Sequence, residues 1–532
     1  MWRRMRHTHQ TFKVCAEPGG LNIMHNAKCN CLNCPAVKLK TEFDAGLRAQ
    51  LKLLNSSRQA PGERNQARIR VECRRRPELG EYNPLSIQFK DCPEWRETEY
   101  GLLLKNMNVM ILGIDGYLGW TLALFLGSLG CKISGVDNYN RRNCVKERGS
   151  HTVVPIARMN DRLQVASERA GVPIDFRQID ILNERQRLKE FIDEVKPEVI
   201  VHYGENPSAP YSMIDADHAI EVQANNVLGT LGLLFIMREV VPEAVLLKLG
   251  TMGEYGAPMS GRPIFEGVFP PDAIMHWNNG KWDLGGELLP RDPGSFYHIS
   301  KAQDTLNIFE ACKYWGLRSY DIMQGVIFGV HTKQVASDER LRTRLDIDEW
   351  FGTIVNRFVA QAIIGIPLTL FGAGHQKRGF IALEDAMECM TRLISSPPIL
   401  SQYEVVNQIS NVYSARDLAY SIAKIGRKHF KLDVEIQRVE NPRVEADEHP
   451  YNVIHEKLPN NLGFQPKIKL EEEIFRMFEL LIRSDITQRI EQIRHLILPK
   501  TWWSGRKIQV KRLELMELEE ELRKEKEGLK IS

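Results

Sequence analysis

The chain has 532 residues, enough for roughly two to four domains and a sizeable core. A charged fraction of 26% and a hydrophobic fraction of 43% are those of a globular protein, and a net charge of +3 is too small to imply nucleic acid as a partner. No apolar run reads as long enough for a membrane span, and Met1-Trp2-Arg3-Arg4-Met5-Arg6 leads into polar residues instead of a signal-peptide apolar region, so a cytoplasmic protein is expected.

Residues 1–104 lack sustained periodicity and hold six of the ten cysteines, together with the run Arg74-Arg75-Arg76. Cys29, Cys31 and Cys34, with Cys15 and His25 nearby, offer enough ligands for a small zinc site. Their spacing is not that of paired C-x-x-C modules, so no metal is assigned and the segment reads as a basic, cysteine-containing extension without fixed structure.

From residue 105 the pattern changes. Lys105 to Leu112, with the apolar run Asn108-Val109-Met110-Ile111-Leu112, reads as a short buried strand running into Gly113-Ile114-Asp115-Gly116-Tyr117-Leu118-Gly119 and then an apolar helix from Trp120 to Leu129. Glycines at this spacing allow a tight strand-to-helix turn, let the backbone approach a pyrophosphate, and set that anion on the helix N-terminus. The next strand, Cys131 to Val136, ends in Asp137, where a carboxylate accepts hydrogen bonds from both hydroxyls of an adenine ribose. That favours NAD over NADP, although Arg141 and Arg142 follow closely and arginines there also suit a ribose phosphate.

Further apolar runs at 174–178, 199–202, 245–249 and 320–326 alternate with helical patterns over residues 105–335, which predicts an α/β, Rossmann-type, doubly wound parallel sheet. Residues 336–503 mix helices and short strands and read mainly as a smaller substrate lobe, followed by a charged helical tail over 504–532.

Within this frame, Thr251 closes the run Val245–Leu249, and Tyr297-His298-Ile299-Ser300-Lys301 falls on a helical segment. Tyr297 and Lys301, at i and i+4, share one helix face, where an ammonium lowers the phenol's pKa so that a tyrosinate can take an alcohol proton as hydride leaves. Thr251 is expected to hold the same substrate oxygen.

With these motifs the chain resembles the extended short-chain dehydrogenase/reductases, the NAD-dependent nucleotide-sugar epimerases and dehydratases, and within them the UDP-sulfoquinovose synthase branch of sulfolipid biosynthesis. The resemblance covers about residues 106–503. It rests on 113–120, Val136-Asp137-Asn138 with Arg141-Arg142, Ser208 to Asp215, Gly250 to Gly256, Phe296 to Lys301, Gln324-Gly325-Val326, Arg344-Leu345-Asp346 and Asn441 to Ala446. It implies bound NAD, with UDP-glucose and sulfite as substrates. The hydroxyl on carbon 4 is oxidised, water is lost from carbons 5 and 6, sulfite adds at carbon 6, and hydride returns to carbon 4. Glu254 and His298 are the expected acid and base for elimination and addition.

The same resemblance assigns Gly113, Gly116, Tyr117, Leu118, Gly119, Asp137, Asn138, Arg141, Arg142, Asp180, Ile181, Asn225 and Gln324, with Tyr297 and Lys301, to the cofactor. Thr251, Met252, Gln324, Arg344, Arg378 and Arg443 fall to the UDP-sugar. A homodimer is usual for the superfamily, and a sulfite-donating partner protein is a further implied contact. Two features depart from plant-type members: Asn206-Pro207 replaces a Gln-Arg pair, and Phe265 to Gly294, with Trp277, Asn278, Asn279, Lys281 and Trp282, differs in sequence. These leave two other readings open, an epimerase or dehydratase acting without sulfite and a nucleotide-sugar or NAD sensor without turnover.

Overall fold

In the computed structural model the described residues are 103–256, 261–441, 443, 450–499 and 503, together with the backbone of strands at 14–17, 20–23 and 510–512. The chain divides into two units, residues 1–91 and 92–532. In the first, β1 (Val14–Glu17) and β2 (Gly20–Ile23) pair antiparallel. Cys29, Cys31, Cys34 and the Arg74–Arg76 run lie outside the described residues.

The second unit is built on a parallel seven-stranded sheet. Its strands are β3 (Asn108–Leu112), β4 (Lys132–Asp137), β5 (Ile174–Gln178), β6 (Val199–His202), β7 (Val245–Thr251), β10 (Arg318–Gln324) and β14 (Tyr403–Gln408). They are arranged in the order β14-β10-β7-β6-β3-β4-β5. β3, β4, β6 and β7 are buried along most of their length, as expected for a sheet covered by helices on both faces. Strand order reverses between β3 and β6, so a crevice opens beyond their carboxyl ends.

The expected two-lobe partition is adjusted at one edge. β14 and the helix Leu383–Ser395, whose Met387, Met390 and Leu393 share a core with Val109, Ile111 and Leu122, come from the stretch read as substrate lobe. The apolar content of 383–406 is satisfied against the main sheet. Other strands of that stretch join strands from either side of it in two small sheets. In one, β11 (Val326–Phe328) pairs with β13 (Lys377–Ala382), which pairs with β15 (Asn411–Ser414). In the other, β12 (Leu368–Phe371) pairs with β16 (Ile436–Val439), and β16 with β17 (Val510–Arg512). Within the expected helical tail, Val510–Arg512 is a short strand, and the rest of 504–532 lies outside the described residues.

The divergent segment 265–294 carries a hairpin, β8 (Ile274–Trp277) and β9 (Gly280–Asp283), turned by Asn278 and Asn279, both at positive φ. Its Trp277 and Trp282 are exposed, and only Asp292, Pro293 and Gly294 of this segment reach the central cleft. One continuous helical stretch, Ala216–Val240, is long and apolar enough by composition to cross a membrane. Half of its most apolar window is buried in the protein, and its buried Thr230 meets His202 of β6 at 3.0 Å, which marks a core helix.

Candidate active site

A cleft of about 980 Å³ runs along the carboxyl ends of the strands, from Asp137 at one end to Arg378, Arg443 and Trp503 at the other. At the first end Gly113 has φ +81°, and a Cβ there would lie 2.6 Å from the Tyr203 carbonyl across the strand-order reversal. Any side chain at Gly119 would overlap the Gly113 carbonyl, so the turn tolerates neither replacement. The resulting backbone cradle opens on the helix Tyr117–Ser128.

Asp137 accepts the Asp115 N–H at 2.8 Å and the Tyr139 N–H at 2.7 Å, so both carboxylate oxygens are fixed while each keeps a second lone pair. Burial first, and then the charge of Asp115, push its pKa up to about 6. Asn138 donates to Asp180 at 3.0 Å. Glycine cradle, oriented carboxylate and apolar walls at Val136, Ile179 and Ile181 fit the pyrophosphate, ribose and adenine of a dinucleotide.

Two residues assigned to the cofactor do not line the cleft. Arg142 is held in a two-pronged pair by Asp115, with both contacts at 2.6 Å. Arg162, fully buried against the Trp120 ring, grips the same Asp115 at 2.8 Å, so these charges brace the glycine turn from behind. Asp180 uses its carboxylate to accept Asn138 and the N–H groups of Leu182 and Asn183, which makes it a turn staple. Arg141 lines the cleft, paired with Asp346 at 2.9 Å and lying 3.8 Å over the Phe351 ring.

Arg344, assigned to the substrate, is buried beside Asp346, and its charge acts on Asp137 and Arg162. It therefore belongs to the dinucleotide end of the cleft, because its loop returns against the glycine turn, with Thr343 donating to the Tyr117 carbonyl at 2.8 Å.

At the centre, Tyr297 stands near the start of the helix Phe296–Trp315, whose N-cap Ser295 accepts the His298 N–H at 3.2 Å. Tyr297 and Thr251 line the cleft together, and Thr251 acts on the phenol as a hydrogen-bonding neighbour that lowers its pKa. Lys301 donates to the Leu249 carbonyl at 2.6 Å and pairs with Glu205. The expected lowering of the phenol's pKa is not what these surroundings give: burial first, and then Glu205, raise it. The i, i+4 spacing reveals the lysine but not the carboxylate paired with it, which comes from the loop after β6.

His298 faces the cleft, with Nδ1 3.0 Å from the Ser295 hydroxyl, and a Cβ on Gly253 would overlap its Nε2. Met252 and Gln324 also line the cleft; Gln324 donates to Gln408 at 2.9 Å. Asn225 lies on the wall, donating at 3.0 Å to Asn226. Asn226, which the sequence did not single out, donates to the Asn206 carbonyl and to Ser300, tying the loop after β6 to the tyrosine helix.

Glu254 departs from its expected role. It is fully buried and does not line the cleft. With Thr251 it closes a capping box, accepting the Thr251 N–H at 3.3 Å while Thr251 accepts the Gly253 N–H at 3.1 Å. Its other contacts are Thr305 at 3.0 Å, Lys248 at 3.5 Å and Arg291 at 3.5 Å. Thr-x-x-Glu is a capping-box signature legible in the sequence, and it accounts for this glutamate without chemistry.

At the far end Arg378 and Arg443 line the cleft, Arg443 lying 5.0 Å over the Trp503 ring. Arg357, from the helix Ile354–Ile363, joins them. Burial and then the charge of Arg443 push its pKa down to about 10, a cost that an anion between the two guanidiniums offsets. Arg357 was missed because nothing in its helical pattern separates it from a surface arginine.

A dinucleotide cradle at a strand-order reversal, continued into a Thr/Tyr/Lys pocket and an arginine-lined end, defines a nicotinamide-dependent enzyme of the short-chain dehydrogenase type. Comparison with known proteins agrees. Residues 109–273 match the model of the NAD dependent epimerase/dehydratase family. A UDP-sulfoquinovose synthase of Sulfolobus acidocaldarius is 43% identical over 397 residues, 75% of this chain and 98% of that protein. The chloroplastic UDP-sulfoquinovose synthase of Spinacia oleracea is 42% identical over 360 residues, 68% of this chain and 72% of that one. Among solved structures, the UDP-glucose 4-epimerase of Bifidobacterium longum in complex with NAD+ and UDP shares the fold, with a TM-score of 0.52 at 15% identity over 71% of this chain and 99% of that one. The chain belongs to the UDP-sulfoquinovose synthase family, within the NAD-dependent epimerases and dehydratases.

Proposed function

We propose that the protein uses bound NAD to convert UDP-glucose and sulfite into a UDP-sugar sulfonated at carbon 6. The observation that carries this is that Thr251, Met252, Tyr297 and His298 line one cleft together with the dinucleotide cradle and the arginine end. NAD in that cradle supplies a reversible hydride acceptor at carbon 4. Arg378, Arg443 and Arg357 hold the UDP diphosphate, so that the hexose lies against Thr251 and Tyr297.

Tyr297 takes the proton of the carbon 4 hydroxyl while Thr251 bonds the same oxygen. Lys301, anchored on Leu249, sets the register of the helix face that presents the tyrosine. The resulting ketone acidifies carbon 5. His298 faces the cleft one residue along and moves the protons of elimination and addition, and Met252 with Pro207 and Pro293 keeps bulk water from the enone. Pro207 brings no charge to the sulfonate, so the guanidinium of plant-type members has no counterpart at that position. The test is incubation of purified protein with UDP-glucose, with and without sulfite, followed by mass spectrometry of the nucleotide sugars. A sulfite-dependent product is expected, and conversion of UDP-glucose that ignores sulfite favours the epimerase or dehydratase reading.

Asp137 gives the cofactor a pH signature. Its carboxyl is charged only above about pH 6, because burial raises it, and the charged form is what accepts two ribose hydroxyls. Affinity for NAD is therefore expected to fall about tenfold between pH 7 and pH 5, following the deprotonated fraction. Titration calorimetry measures this, and Asp137→Asn should flatten the dependence.

The helices Ala216–Gln223, Gly229–Val240 and Phe296–Trp315 expose Ile220, Phe235, Leu306 and Tyr314. This row suits a homodimer, and equilibrium sedimentation reads it directly. A cytoplasmic site of action and delivery of sulfite by a partner protein complete the reading.

A further inference from the structure

Glu205 follows β6, lines the cleft and is nearly fully buried. Its carboxylate contacts the Lys301 ammonium and lies 3.5 Å from the His202 ring, and neither oxygen receives any other donor. His202 brings no charge, since burial pushes its pKa down to about 4 and its Nε2 meets Thr230. Lys301 is thus clamped between the Leu249 carbonyl and Glu205, with its Nζ 6.0 Å from the centre of the Tyr297 ring.

We propose that Glu205 is a positioning residue for the oxidation at carbon 4: it fixes Lys301 beneath the tyrosine and sets a negative field on the Tyr297 phenol. The charges packed around the phenol arrive from every neighbouring element. Lys301, Asp304 and His298 come from its own helix, Lys248 from β7, Glu254 from the turn after it, Asp321 from β10, and Glu205 and His202 from β6 and its loop. After burial itself, Glu205 is the strongest influence holding the phenol protonated. The Lys301 ammonium, paired by Glu205 and the Leu249 carbonyl, therefore does not face the phenol as an unbalanced charge.

This rests on Tyr297 being the acid–base group, and the readout is chosen to work without turnover. In the full-length protein, the tyrosinate absorbance attributable to Tyr297 is the difference between each background and the same background carrying Tyr297→Phe. In Glu205→Gln that ionisation, and the acid limb of the kcat/KM profile, are expected about one pH unit or more below wild type, the size of a nearby charge's effect. Glu205→Asp draws the carboxylate back by one methylene, and a smaller downward move of about a third of a unit is expected if the glutamine variant folds poorly. Lowered turnover with an unmoved limb and unmoved titration in either variant overturns the proposal and leaves Glu205 a structural ion-pair partner. Because the titration needs no sulfite chemistry, it distinguishes this failure from that of the proposed function.

Discussion

Tyr297→Phe is expected to lower product formation by about three orders of magnitude, within the range a positioned acid–base group contributes. The phenol lines the cleft with Thr251, and the nearest alternative, the His298 ring, is centred 5.1 Å from the tyrosine ring. Phenylalanine keeps the ring's burial, so the fold and the dinucleotide cradle should remain. Nucleotide-sugar analysis by mass spectrometry checks the first part and NAD retention after gel filtration the second. A loss under tenfold would remove Tyr297 from the chemistry, whereas a loss of bound NAD would assign it to the cofactor instead.

Glu254→Ala is expected to destabilise the protein by about 3–5 kcal/mol, the cost of breaking a buried ion pair on one side. Lys248 is fully buried, donates to the Lys301 carbonyl at 3.1 Å, and balances Glu254 at 3.5 Å and Asp321 at 3.4 Å. Removing Glu254 leaves Asp321 as the counterion of Lys248 and as the acceptor of Thr305, and strips the Thr251 N–H of its acceptor. Glu254→Gln keeps the shape and one of the two acceptor oxygens, its amide nitrogen being able only to donate, so it should cost less, about 1–3 kcal/mol. Denaturant titration gives both values. If Glu254 moved protons in catalysis, the glutamine variant would lose turnover out of proportion to its stability. A loss that tracks stability is the expected outcome.

Much of the site is visible along the chain because local geometry carries it. A glycine turn between strand and helix, Asp137 at a strand end and Tyr297 with Lys301 at i and i+4 each depend on a few consecutive residues, and each lies where its spacing places it. Glu254 was misread for a related reason. Its offset from Thr251 is that of a capping box, but glutamates near a sugar pocket also suggest acids, and only burial separates the two.

The sheet edge was misplaced because a helix and strand at 383–408 look the same whether they pack on a small lobe or on the main sheet. Arg142 and Asp180 carried the right chemistry, but Asp115 and the 182–183 turn claim their charges first.

The sequence by itself determined the parallel Rossmann-type sheet, the dinucleotide turn and the tyrosine–lysine face, since backbone conformation and helical period are set over a few residues. Tertiary structure alone decided the electrostatics. Lys248, Glu254 and Asp304 come from separate elements and meet out of water beside Glu205 and Asp321, where desolvation makes the state of those three depend on their neighbours. Whether Tyr297 holds its proton is therefore a property of that assembly.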